Sequence, residues 1–321
     1  MNNQPPAPIT LLVTGGTGFI GTELIKILKG SVCRTRVLSR QTYVHAKNNL
    51  VSEDDWITAS LLDEETLQAY LKDIDVVINL AGLAHTGSAQ REEYFEANFL
   101  ATKNLFNVSM RSHVNKFIHI SSAHAAYPNI SHYAESKRLA EDYLTLHAKL
   151  NAKMQTTILR PSAVYGIGMK GNLKTFIRLL SLGFLPSLPE LNAQFTLTSV
   201  KDLCRIIKLE AMSPARTTSF IGYNVSDGET YSPQKIERMV LRSLGKDRAA
   251  YTVPRFMFYF ASVIAIIANH TGMKKNQLGL RLHQALTTSR NDNPKNQYPN
   301  YNFCPLVSLE TEITKIIDNL T

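Results

Sequence analysis

Tyr133 and Lys137, four residues apart, follow an apolar segment that ends in the serine pair Ser121-Ser122. On a helix this spacing places the phenol and the ammonium on one face. The phenol has an ordinary pKa of about 10, too high for an efficient base at neutral pH, and a nearby positive charge favours the phenolate. A serine hydroxyl from a neighbouring strand end can hydrogen-bond the same substrate oxygen. The pattern predicts hydride transfer at a carbinol carbon, with Tyr133 as acid/base, Lys137 as electrostatic tuner and ribose anchor, and Ser122 as orienting residue.

The position of Tyr133 relative to the predicted strand and helix supports this prediction more than its spacing from Lys137 does. Residues 43–47 and 231–235 show the same Tyr-x-x-x-Lys spacing, but the first run falls in a loop and the second contains a proline. Tyr133 instead opens a predicted helix, directly after a strand that ends in serines. His124 and His132 lie nearby in sequence and are interpreted as loop histidines.

A glycine-rich turn near the start of the chain indicates a second functional element. Residues 9–13 form an apolar run typical of a buried strand, and Gly15-x-x-Gly18-x-x-Gly21 follows at the start of a predicted helix. The missing side chains permit a tight turn and let the backbone approach a pyrophosphate. Free N–H groups and the positive end of the helix dipole then bind the anion. The turn therefore predicts a dinucleotide site.

The end of the second predicted strand bears on which dinucleotide is bound. An acidic residue there favours NAD because it accepts hydrogen bonds from the ribose, whereas a basic residue accommodates a 2′-phosphate. This strand ends in Ser39-Arg40 and carries no carboxylate. Arg40 could pair bidentately with a phosphate. The residues favour NADP, with NAD as the alternative.

Apolar segments alternate with helical patterns up to Arg160, which predicts an α/β protein with a Rossmann-type doubly wound parallel sheet. We expect a dinucleotide-binding domain over residues 1–165, including the catalytic residues. Residues 166–321 are richer in Gly, Pro, Ser and Asn, and predict a smaller, mainly substrate-binding C-terminal lobe, from which some segments could return to the sheet. The predicted strands lie at residues 9–13, 36–38, 56–58, 75–80, 116–120 and 156–159.

The composition describes an ordinary globular protein of 321 residues, with 44% hydrophobic and 19% charged residues. A net charge of +9 suits an anionic ligand, but no basic run is dense enough to predict nucleic-acid binding. The three cysteines show neither metal-ligand nor disulfide spacing, so no metal is expected. The apolar segment 256–268 is shorter than the roughly 20 residues of a membrane span, and the first residues do not resemble a secretory signal. We therefore expect a cytoplasmic protein.

Taken together, the motifs resemble those of the extended short-chain dehydrogenase/reductases, the family of NAD-dependent nucleotide-sugar epimerases, dehydratases and 4-keto reductases. The resemblance covers nearly the whole chain. Besides the serine pair and the Tyr-x-x-x-Lys pair, it rests on Thr14 to Gly21, Asn79 to Gly82, Asn98, and Leu159 to Gly166. With these motifs, the residues expected to contact the dinucleotide are Gly15, Thr17, Gly18, Phe19, Ile20, Arg40, Leu80, Ala81, Gly82, Asn98 and Lys137.

Within this family the chain looks most like bacterial enzymes that act at C4 of UDP-hexoses or UDP-N-acetylhexosamines. The resemblance implies that Asn172 contacts the nucleotide diphosphate and that His85 borders the sugar. A 4-epimerase that retains its cofactor and a 4-keto reductase that consumes NADPH both remain open, and a homodimer is compatible with the resemblance.

Three departures from the family pattern stand out. Ser60 replaces an aspartate that contacts adenine, and Phe195 stands where the family has an arginine that binds the substrate phosphate. The loop after the serine pair is one residue longer, and alignment from the strand assigns Ser122 as the catalytic serine. Loss of the arginine motivates an alternative function, a non-catalytic NADP-binding regulatory or interaction protein of the same fold.

Overall fold

A computed structural model describes residues 8–43, 51–84, 89–150, 153–184, 187–188, 193–246 and 303–320. The chain divides into two compact units. The first contains the described residues within 1–162, 200–225 and 296–304, and the second those within 163–199, 226–295 and 305–321. His85 and the apolar segment 256–268 lie outside the described residues.

A seven-stranded sheet forms the centre of the first unit. Its strands are β1 (Ile9–Thr14), β2 (Cys33–Ser39), β3 (Trp56–Thr58), β4 (Val76–Asn79), β5 (Lys116–Ile120), β6 (Gln155–Pro161) and β9 (Phe220–Val225). All neighbours are parallel, in the order β3-β2-β1-β4-β5-β6-β9. The order reverses between β1 and β4, which is where ligands bind in such sheets. The predicted Rossmann-type fold is confirmed.

Helices connect these strands. The described α-helices are α1 (Phe19–Leu28), α2 (Glu64–Tyr70), α3 (Arg91–Tyr94), α4 (Ala101–Arg111), α5 (His132–Leu150), α6 (Asn172–Ser181), α7 (Val200–Met212), α8 (Pro233–Ser243) and α9 (Leu309–Asp318). A π-helical segment, Phe95–Leu100, joins α3 to α4. This segment carries Asn98, a position that the resemblance singles out.

Both faces of the sheet are buried, as the continuous apolar strands predict. On β2, Val37 packs with Ile25 of α1, whereas its neighbour Leu38 joins the cluster that contains Phe106 and Phe117. Strand β9 was not among the predicted strands. It lies at the sheet edge and only its fourth and sixth residues are buried, so it lacks the continuous apolar pattern of the central strands.

The second unit contains a three-stranded sheet in the order β10-β8-β7, formed by Thr230–Tyr231, Phe195–Ser199 and Ala163–Tyr165. Asp227 organises its interior, because its carboxylate accepts hydrogen bonds from the hydroxyls of Tyr165 at 3.1 Å and Tyr231 at 2.7 Å. The Tyr-x-x-x-Lys spacing at residues 231–235 therefore belongs to a buried structural tyrosine.

Candidate active site

The turn between β1 and α1 is shaped by close backbone approach. Gly15 has a φ of +69°, and a Cβ atom on it would lie 2.8 Å from backbone atoms of Leu80 and Ala81. A Cβ on Gly21 would lie 2.3 Å from the carbonyl oxygen of Gly15. A side chain at either position would therefore displace the turn, which explains the glycine spacing.

The start of α1 is suited to an anion. Gly18 is its N-cap residue, so no side chain caps the first turn, and that turn contains no acidic residue. Thr17 and Gly18 are exposed, while Phe19 and Ile20 are partly buried. Backbone N–H groups at an uncapped helix start and the positive end of the helix dipole fit a pyrophosphate. The residues present thus fit the dinucleotide predicted from the sequence.

A buried polar network ties together the ends of three strands beneath this turn. The hydroxyl of Thr14 donates to Asn79 Oδ1 at 2.7 Å and accepts from the N–H of Ala81 at 3.2 Å. Asn79 Nδ2 lies 3.1 Å from Thr102 Oγ1 and 3.2 Å from His119 Nδ1. Since Asn79 Nδ2 is a donor, His119 Nδ1 accepts. Sequence reasoning did not assign a role to His119, which carries no local signal.

Asn98 connects the turn after β4 with helix α5. Its Oδ1 accepts from the N–H of Leu83 at 2.7 Å, and its Nδ2 donates to the carbonyl of Leu83 at 3.2 Å and to Ser136 Oγ at 3.0 Å. A Cβ on Gly82 would lie 2.6 Å from Asn98 Oδ1. The amide of Asn98 is thus engaged within the protein, which suits a residue that positions the site.

Ser122 and Tyr133 come together at the carboxyl edge of the sheet. Ser122 follows β5, and its side chain accepts from the N–H of His124 at 3.2 Å. Burial raises the pKa of Tyr133, and a hydrogen bond with Ser122 opposes that shift. The rings of Tyr94 and His124 lie edge-on to Tyr133, with centroid distances of 6.0 and 6.3 Å. The contact between Ser122 and Tyr133 agrees with the alignment from the strand.

Lys137 is buried one helical turn after Tyr133. Its Nζ donates to the carbonyl of Ile120 at 3.0 Å. Burial lowers the pKa of Lys137 to about 8, and the charge of Glu141 opposes this shift. In this structure burial sets the direction of the Tyr133 pKa, which is raised, although a nearby positive charge alone would lower it.

The end of β2 presents the residues predicted to select the dinucleotide. Ser39 Oγ accepts from the N–H of Gln41 at 3.1 Å. The neighbouring Arg40 is exposed, and its guanidinium makes no hydrogen bond or ion pair with the described residues. Ser60, after β3, uses its hydroxyl to accept from the N–H of Leu62. No carboxylate stands at either strand end.

The predicted substrate contacts remain predictions. Asn172 is exposed at the first residue of α6, in the second unit, and Phe195 begins β8 in the same unit. Over the ranges that the structure describes, no group of three or more His, Cys, Asp and Glu side chains is arranged to hold a metal ion. In those same ranges, no helix is both long and apolar enough to span a membrane.

The parallel sheet, the glycine turn and the uncapped helix start define a dinucleotide-binding α/β protein. The chain belongs to the NAD dependent epimerase/dehydratase family, whose sequence profile matches residues 11–226. The predicted membership in the extended short-chain dehydrogenase/reductases, and with it a nicotinamide cofactor, is confirmed.

Individual relatives agree with this assignment. The UDP-glucose 4-epimerase of Vibrio cholerae is 29% identical over 273 residues, which cover 77% of this chain and 79% of that protein. The structure of UDP-glucose 4-epimerase with UDP-glucose from Thermotoga maritima is similar with a TM-score of 0.70 at 19% identity, over 97% of this chain and 98% of that one. UDP-glucuronic acid 4-epimerase from Bacillus cereus in complex with NAD gives 0.67 at 20% identity, over 97% and 98%. At this identity the two structures show the shared fold.

Proposed function

We propose that the chain is an NAD(P)-dependent oxidoreductase that acts at C4 of a UDP-hexose or UDP-N-acetylhexosamine. The observation that carries the proposal is the meeting of Ser122, Tyr133 and Lys137 at the carboxyl edge of the sheet. The likeness to the Vibrio cholerae UDP-glucose 4-epimerase supports the substrate class and favours 4-epimerisation. Arg40 at the end of β2 is the feature that favours an NADPH-consuming 4-keto reductase.

The chemistry follows from the protonation states. A bound nicotinamide supplies the hydride acceptor and donor. Tyr133 holds its proton at neutral pH because burial raises its pKa, so the phenol can donate that proton to a C4 oxygen as negative charge develops there. Ser122 can hydrogen-bond the same oxygen. In the opposite direction the accepting form is the phenolate of Tyr133, which the ammonium of Lys137 can stabilise. One tyrosine can therefore serve both directions, as epimerisation requires.

Tyr133→Phe tests the catalytic proposal. The variant retains the ring and its packing but has no transferable proton, so we expect turnover of UDP-hexoses and 4-keto sugars to fall at least 100-fold. Tyr143→Phe is the matched control, since Tyr143 lies on the same helix and donates to Asn107 Oδ1 at 2.8 Å. Unchanged turnover in Tyr133→Phe would contradict catalysis by Tyr133, and a parent protein that turns over none of these sugars would favour the alternative, a non-catalytic NADP-binding protein.

The cofactor of the purified protein separates the two reactions. Tightly retained NAD, with interconversion of C4 epimers and no added reductant, supports the epimerase. A stoichiometric requirement for added NADPH supports the reductase.

We further propose that the dinucleotide is NADP, supported by the exposed Arg40 and the missing carboxylate. Arg40→Ala should weaken NADPH binding roughly tenfold or more, because a charge-assisted contact contributes about 1.5–3 kcal/mol, and leave NADH binding unchanged. Arg34→Ala is the control, as Arg34 lies on the same strand and its Nε binds Asp55 at 2.7 Å. Equal loss for both dinucleotides, or a preference for NADH in the parent protein, would favour NAD.

Exposed apolar side chains on helix α5 support a homodimer as a further part of the proposal. Leu146 is 58% exposed and Leu150 is 76% exposed. Light scattering coupled to size-exclusion chromatography measures the mass directly, and a Leu146→Glu variant should shift a dimer toward monomer.

A further inference from the structure

Helix α5 carries a third ionisable side chain on the face that presents Tyr133 and Lys137. Glu141 follows Lys137 by four residues, so the three side chains lie one above another along the helix. Its side chain is only 6% exposed. A buried carboxylate needs compensating partners, because the charged form loses its hydration.

Arg160 of β6 supplies that compensation. Its Nε lies 3.0 Å from Glu141 Oε1 and 2.8 Å from Oε2, and its Nη2 lies 2.7 Å from Oε2. The planar guanidinium therefore grips both carboxylate oxygens, a geometry that lysine cannot reproduce. These contacts define the Glu141–Arg160 pair.

Strand β9 lies next to this pair. A Cβ atom on Gly222 would lie 3.5 Å from Arg160 Nη1 and 3.6 Å from Nη2. Glycine within a strand weakens it and often marks close approach of another group. The Glu141–Arg160 pair therefore joins α5 to β6, and Gly222 of β9 lies beside the guanidinium.

We propose that Glu141, held by Arg160, is a positioning residue that favours the protonated form of Lys137 against the effect of burial. The inference rests on the proposed function, in which Lys137 supports proton transfer at Tyr133. A carboxylate close to a buried ammonium favours its protonated form, and an arginine on the same carboxylate limits that effect. The pair thus favours the charged form of Lys137 from the next helical turn, on the opposite side of Lys137 from Tyr133.

The other titratable groups around the site supply no negative charge. His119 of β5 lies close enough to interact with Lys137, and burial holds its pKa well below the ordinary value, so it is neutral at neutral pH. Tyr133 retains its proton because burial raises its pKa. Tyr94 and His124 face the ring of Tyr133 from helix α3 and from the loop after β5. Glu141 is the one carboxyl group among these residues.

A pair that only stabilises the fold would make the same contacts, so the test must measure the protonation of Lys137. We suggest labelling the full-length protein with lysine carrying ¹³C at the ε carbon and titrating it without substrate from pH 6 to pH 10. The Lys137 signal is the one missing from Lys137→Arg. In the parent protein its midpoint should lie at about pH 8.

Substitutions of Glu141 and of Arg160 should shift the Lys137 midpoint in opposite directions. Glu141→Gln removes the favourable charge, and the midpoint should fall by roughly one pH unit. Arg160→Gln leaves the carboxylate uncompensated, and the midpoint should rise. Asp142→Asn is the matched control, because Asp142 pairs with Arg138 on the exposed side of the same helix at 2.7 Å. The control should leave the midpoint unchanged.

Shifts of the same sign, or none, in the two variants would overturn the inference. If Glu141→Gln does not fold, Glu141→Asp and Arg160→Gln still test the inference. Glu141→Asp keeps the negative charge, and Arg160→Gln should raise the midpoint. The titration needs no turnover, so it is independent of the Tyr133→Phe test. If Tyr133→Phe leaves turnover unchanged but the two variants shift the Lys137 midpoint in opposite directions, the proposed function is refuted and the effect of Glu141 on Lys137 is retained.

Discussion

Replacing Asn98 with leucine should uncouple the cofactor turn from the catalytic helix. Leucine has a similar volume but removes the three hydrogen bonds to Leu83 and Ser136. Loss of a buried partner costs about 1–3 kcal/mol, and Leu83 is partly exposed, so water can relieve part of that cost. Ser136 Oγ also donates to the carbonyl of Tyr133 at 2.8 Å, and keeps that bond. We therefore expect a loss of about 2–3 kcal/mol in the free energy of unfolding.

Thermal denaturation and dinucleotide titration measure the loss of stability and the loss of dinucleotide binding separately. The stability loss should lower the melting temperature by roughly 5 °C. The turn at residues 80–83, which packs against Gly15, should also loosen, so the dissociation constant for the dinucleotide should rise about tenfold. Asn104→Leu is the control, because Asn104 lies on α4 and its amide donates one long hydrogen bond, 3.5 Å, to the carbonyl of Leu62. Equal effects of the two substitutions, or unchanged dinucleotide binding in Asn98→Leu, would refute the reasoning.

Two further predictions concern the glycine turn and the buried lysine. Gly15→Ala should abolish dinucleotide binding, because a Cβ there would collide with the backbone of Leu80 and Ala81. Gly30 also has a positive φ, but a Cβ on it meets nothing within 4 Å, so Gly30→Ala should cost only about 1–2 kcal/mol of stability. Retained dinucleotide binding in Gly15→Ala would contradict this argument. Since the pKa of Lys137 is about 8 in the folded chain and ordinary in the unfolded chain, the unfolded state binds more protons between pH 8 and pH 10. The free energy of unfolding should therefore rise by about 2 kcal/mol over that window in the parent protein relative to Lys137→Met, as measured by urea midpoints, and parallel profiles would show that Lys137 is not buried as an ammonium.

Features encoded in short stretches of sequence were predicted well. The glycine turn follows from the residues that a tight strand-to-helix connection requires, and β1 to β6 follow from their apolar runs. The spacing of Tyr133 and Lys137 places both on one helix face without knowledge of the rest of the chain. The same spacing continues to Glu141, and that signal was available but unused. Strand β9 was missed because an edge strand does not need a continuous apolar pattern.

The sequence by itself determined the family and the sheet, and it singled out the proposed proton-transfer residues, since these depend on local backbone geometry and helical periodicity. Only the tertiary structure decided which groups surround those residues and in which direction their pKa values shift. The direction of the Tyr133 pKa depends on burial, which outweighs the hydrogen bond with Ser122. The grip of Arg160 on Glu141 joins a helix to a strand 19 residues away along the chain. Such effects arise from groups brought together by packing, and no local pattern of residue types specifies them.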